Sequence, residues 1–136
     1  MAALNWLPEV HTVVGLLFLV ASAVLAIWAA VLYRLKHDLP RAFWHALRVP
    51  TALLAVQIVL GIVMLTLGAH PGDPLHFMYA GLVTVGIAAQ ELLRPRGSLG
   101  RILREEGKFN EAGAYAILGT VIALLTIRLW MTGPPH

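Results

Sequence analysis

Cysteine is absent from this chain of 136 residues, which excludes disulfides, thiolate metal ligands and thioether attachment of a cofactor. Any cofactor must therefore be held by His, Met or carboxylate. Charge is scarce as well: 12% of the residues are charged and 59% hydrophobic, too apolar a balance for a soluble domain. No paired nucleophile and base, phosphate-binding glycine loop or zinc-protease pattern occurs, which excludes a hydrolase of the soluble type. The opening MAALNWLPEVH has no basic residue, so it lacks the positive region of a cleaved signal and is expected to remain as the start of an uncleaved helix.

What charge there is falls in two places. Nine of the ten lysines and arginines lie within residues 34–48 and 94–108. Residues 12–33 and 49–69 are free of Asp, Glu, Lys and Arg, and at about 1.5 Å of rise per residue either run crosses the roughly 30 Å hydrocarbon layer as a helix. Residues 75–90 and 112–127 are shorter uncharged runs that reach spanning length with their interfacial ends. The expectation is an all-α integral membrane protein, one domain over residues 1–136, with four transmembrane spans at about 8–33, 49–68, 74–94 and 111–131. Basic loops stay cytoplasmic, which puts both termini on the outer, periplasmic or extracellular, side of a multi-pass protein of the cell's inner (plasma) membrane. The formal charge of +3 belongs to the inside loops, so nucleic acid is not an expected partner; the lipid bilayer is, with other membrane subunits or a second copy of the chain.

Local signals set the joints. Pro8 suits a first helical turn, and Asp73 followed by Pro74 reads as the start of span three. Asn110 and Glu111 start span four, which is expected to stop before Gly133, Pro134 and Pro135. Residues 41–48 suggest a short helix in the headgroup plane with Phe43 and Trp44 facing lipid. The amphipathic SLGRILREEG reads as a solvated loop with one surface turn. Ser22 and Thr84, inside spans, are expected to bond to the backbone.

Of six histidines, His11 opens span one and His76 opens span three. Both spans run from outside to inside, so the two imidazoles stand at similar depth. Each is followed four residues later by a small residue, Gly15 and Ala80, on the same helix face. A flat macrocycle can then lie against both helices while each ring supplies one axial nitrogen, the geometry of a bis-histidine b-type haem in a helical bundle. Gln57, Gly61 and Gly68 are the polar and small positions of span two, the glycines seven residues apart and so roughly on one face. Arg128, the one basic residue outside the inside loops, is a candidate partner for haem propionates or a snorkelling residue. Zinc or copper on His11, His70 and His76 is the alternative metal site.

VHTVVGLLF at the start of span one, and VQIVLGIVMLTLGAHPGDPLHFMYAGLV across spans two and three, resemble the haem A synthase family. Its members open one helix with a histidine, carry a Q-x-x-L-G element on the next and an H-x-x-x-A element on the one after. The resemblance covers residues 9–93. It implies four-helix halves whose paired histidines bind haem, with His11 and His76 as the matching ligands and Gln57 and Gly61 in the Q-x-x-L-G element. Three functions stay open: a haem protein of electron transfer or haem handling, alone or as a subunit of a respiratory or photosynthetic complex; a cofactor-free accessory or assembly subunit; and a haem A synthase-like oxidoreductase.

The topology is checked by accessibility labelling of single cysteines. Ala2→Cys and Gly97→Cys should react from opposite sides of the membrane; labelling from the same side would end this arrangement.

Overall fold

The computed structural model describes residues 4–107 and 109–133. Met1, Ala2, Ala3, Lys108, Pro134, Pro135 and His136, with the expectations attached to them, lie outside the described residues. Six helices run along the described chain: α1 (Leu7–Arg34), α2 (Arg41–Ala46), α3 (Arg48–Thr66), α4 (Leu75–Leu92), α5 (Ser98–Glu105) and α6 (Glu111–Met131). Three stretches are long and apolar enough to cross a membrane: Leu7–Arg34, Arg41–Thr66 and Glu111–Met131. The protein is thus all-helical with the helix lengths and composition of a membrane protein. At 18 residues α4 is as long as a short span, but His76, Gln90 and Glu91 fall inside it and dilute its apolar run.

The helix ends follow local chemistry. The Asn110 side chain caps α6 by accepting from the Gly113 N–H at 2.9 Å. At α4 the Asp73 carboxylate accepts from the Leu75 N–H at 2.8 Å, but the helix starts at Leu75 with Pro74 as its N-cap, so Asp73 stands one position before the cap expected of it. α2 and α3 are separated only at Leu47, whose dihedrals are helical; Pro50, in the first turn of α3, has no N–H to give the Ala46 carbonyl. Gly68 stands at φ 87° just past α3 and ends that helix, so it does not share a helix face with Gly61 as its spacing suggested.

α1 is the central element. It packs along α6 and along α3, and α4 packs along α6; α3 and α4 do not pack closely along their length. Lipid tails are as apolar as leucine, so close van der Waals fit must hold these helices together. α1 and α6 achieve it with small residues: a Cβ on Gly119 would lie 3.0 Å from the Ala26 Cβ, and one on Gly113 would lie 3.2 Å from the Tyr33 ring. In the middle, Phe18, Leu54, Val83, Ile87 and Ile122 form one buried cluster.

The second cluster corrects a sequence expectation. Phe43 and Leu47 are fully buried against Leu25, Ala29 and Tyr115, so α2 turns its aromatic side into the bundle and not toward lipid. Phe43 makes edge contacts with Trp28, Trp44 and Tyr115 at 5.5 to 5.8 Å between ring centres, arrangements worth about 1 kcal/mol each beyond the area they bury. The buried Tyr115 hydroxyl donates to the Gln90 carbonyl at 2.6 Å and ties α6 to α4. α5 exceeds the single turn expected of it. Arg104 joins it to Glu111 of α6 and to the Leu93 carbonyl at 3.0 Å, and stacks over Phe109. The Thr84 hydroxyl donates to the Ala80 carbonyl as expected, whereas the buried Ser22 hydroxyl has no partner.

Gly119→Leu should lower the stability of the detergent-purified protein by about 1–3 kcal/mol, because the added carbons must push α1 off α6. Gly81→Leu, at a position with nothing within 4 Å of an added Cβ, should change it by less than about 0.5 kcal/mol. Thermal unfolding followed by circular dichroism reads both.

Candidate functional site: a histidine pair at one end of the bundle

The antiparallel packing of α1 on α6 brings the first turns of α1 and α4 beside the last turns of α6. His11 and His76 meet there, with ring centres 6.5 Å apart and planes tilted by 45°. The Nδ1 atom of each ring is buried without a hydrogen-bond partner, and so is the Gln57 Oε1 atom. Three polar atoms left unpaired in one apolar region cost about 1–3 kcal/mol each unless something else binds them.

The three side chains line a common cavity of about 50 Å³ together with Gly15. Gly15 leaves the room that Gln57 uses: a Cβ at that position would lie 3.0 Å from the Gln57 Nε2 atom. Gly61 plays a similar part toward His11, whose Cε1 atom would be 3.7 Å from a Cβ there. Four of the residues singled out in the sequence, His11, His76, Gly15 and Gln57, thus meet in one place, and Gly61 adjoins it. Ala80 is half-buried one turn along α4 and does not line the cavity. Arg128 is exposed and also outside the lining.

α6 supplies a wall that the sequence reading missed. Thr126, Leu129 and Trp130 line the cavity, and the Leu129 backbone lies beside His76. The signal was available in the topology: if span four returns to the outer face, its last turns must come level with the first turns of spans one and three. Nothing in the residue types of α6 marks them, since leucine and threonine are ordinary in an apolar helix.

The distance between the rings defines what can sit there. An imidazole nitrogen binds a metal at about 2.0–2.1 Å, which puts the ring centre about 3.2 Å from the metal and two opposed ring centres about 6.4 Å apart. The observed 6.5 Å matches one metal centre held from both sides. The 45° tilt is compatible with it, because two axial rings are free to rotate about their common axis. Among the described residues no three His, Cys, Asp or Glu side chains come together, and His70 is exposed in the loop before α4. The zinc or copper site of His11, His70 and His76 is therefore not formed. The cavity alone has room for a water or two and not for a macrocycle. The chain matches no family model, no curated protein and no solved structure.

Proposed function

We propose that the chain is a four-span membrane bundle, both termini on the outer side of the cell's inner membrane, that holds one b-type haem between His11 and His76 for electron transfer or haem handling. The observation that carries this reading is the 6.5 Å between the two ring centres, with a buried unpaired nitrogen on each ring. His11 and His76 would hold the iron through their ring nitrogens, Gly15 leaves room for the Gln57 amide, Gly61 lies against His11, and Gln57 offers a carbonyl oxygen with no other partner. Bound haem supplies one-electron exchange at its iron, tuned by its axial ligands and the polarity around it.

Two features favour this role over oxidation of a haem substituent, the activity that the resemblance to haem A synthases would imply. His11 and His76 would both hold the iron, and no carboxylate lines the cavity, Glu9 being exposed and outside it. The competing reading, a cofactor-free accessory subunit, draws on the small cavity volume of about 50 Å³. Val56, Val59 and Ile62 on α3 form an exposed apolar surface that suits a neighbouring membrane subunit as well as lipid, so the haem reading extends to a subunit of a respiratory or photosynthetic complex or to a homo-oligomer.

His11→Ala and His76→Ala should each lower haem content per chain severalfold, while His37→Ala and His45→Ala leave it unchanged; normal haem in both of the first pair would refute the assignment. Gly15→Leu should displace haem more than Leu16→Gly, although the second removes more apolar surface. Position 15 faces Gln57 inside the site, and Leu16 is exposed. Soret absorbance per protein measures all of these.

A further inference from the structure

The opposite end of the bundle holds a second and larger cavity, about 970 Å³, between the end of α1 and the start of α6. Its walls include Tyr33, Arg34, Lys36, His37 and Asn110. Two carboxylates are present as well, but Glu111 is engaged by Arg104, which leaves Asp38 alone to face two permanent positive charges. Among the described residues neither Arg34 nor Lys36 makes an ion pair.

The backbone adds an independent observation. Lys36 sits at φ 56°, the left-handed conformation that closes α1, with the His37 N–H donating to the Leu32 carbonyl at 2.9 Å. That position normally falls to glycine, which adopts it without steric cost. The chain does use glycine at the matching places after α3 and α5, where Gly68 stands at φ 87° and Gly107 at φ 71°. Lysine replaces it only at the helix end that lines the cavity. A long cationic side chain thus stands there against the backbone preference, exposed and just past the negative end of the α1 dipole, which favours a positive charge.

We propose that this cavity binds a phosphate group, with Arg34 and Lys36 as charge-assisted donors. An arginine fork fits two phosphate oxygens and an ammonium supplies a compact charge beside it. The volume lies at the upper end of the range for small-molecule sites, large enough for more than the phosphate itself. The site is separate from the histidine pair and does not depend on haem. Its phosphate can come from an anionic lipid headgroup or from a soluble phosphate.

The full-length protein in phosphatidylcholine nanodiscs, with and without phosphatidylglycerol, distinguishes the sources. Native mass spectrometry reads retained phosphatidylglycerol, and isothermal titration with inorganic phosphate reads the soluble form. Wild type should hold at least one of the two, and which one names the source. Lys36→Gly and Arg34→Gln should each weaken that binding by about tenfold, whereas Arg48→Gln, an exposed basic residue outside the cavity, should not. Lys36→Gly should also raise the melting temperature, because it relieves the backbone, so its loss of binding cannot be a loss of fold. No binding of either probe by wild type would overturn the proposal. So would a Lys36→Gly protein that is more stable and binds as well as wild type, or equal losses in Arg48→Gln.

Discussion

Everything at the two ends of this bundle depends on how closely α1 and α6 approach. Gly119 lies against Ala26, where an added Cβ would come within 3.0 Å of the Ala26 Cβ and 3.2 Å of its Cα, and Gly113 lies on the Tyr33 ring. Two helices that touch through small residues hold a fixed antiparallel register, because a shift of one residue would bring side chains where only hydrogen atoms fit. That register sets the last turns of α6 level with His11 and the first turn of α6 level with the end of α1. The histidine site and the basic cavity are thus opposite consequences of one contact.

The polar chemistry divides in the same way. At the basic end, aromatic rings and paired charges close the bundle: Phe43, Trp44 and Tyr115 stack edge to face, Glu91 accepts from Thr51 and pairs with Arg94, and Glu111 pairs with Arg104. Glu91 and Thr51 also join α4 to α3 at that end. At the histidine end the corresponding groups lack partners, with His11, His76 and Gln57 all keeping a buried unpaired atom. Buried atoms without a hydrogen-bond partner occur at both ends, Gln90 Oε1 and Arg104 Nη2 among them at the basic end, but only at the histidine end do two imidazoles and an amide line one cavity. That convergence supports a bound group more strongly than the identity of any single residue.

The helices and their ends were legible in the sequence because uncharged run length and capping residues act locally. Asn110 capped α6 as read, and residues 12–33 fell within α1. The meeting of His11 with His76 was legible from depth alone, since two residues at equal depth on spans of the same direction need only the right neighbours. What escaped the sequence depends on which way a helix faces. Phe43 and Trp44 have the composition of an interfacial anchor, and only the turn at Leu47 and Pro50 sends them inward to Tyr115. Arg128 has a plausible position but stands outside the cavity, because the rotation of α6 that turns Thr126 and Leu129 to it carries Arg128 away; Ala80, on α4, lies outside the lining as well. Lys36 was read as one of many inside charges, and its backbone conformation has no sequence signature.

We propose that one metal-centred planar group completes the histidine pair. The most direct measurement is the reduced-minus-oxidised absorption spectrum of the purified full-length protein. The account predicts a six-coordinate b-type spectrum with one haem per chain. A colourless protein that also fails to take up added haemin would contradict it.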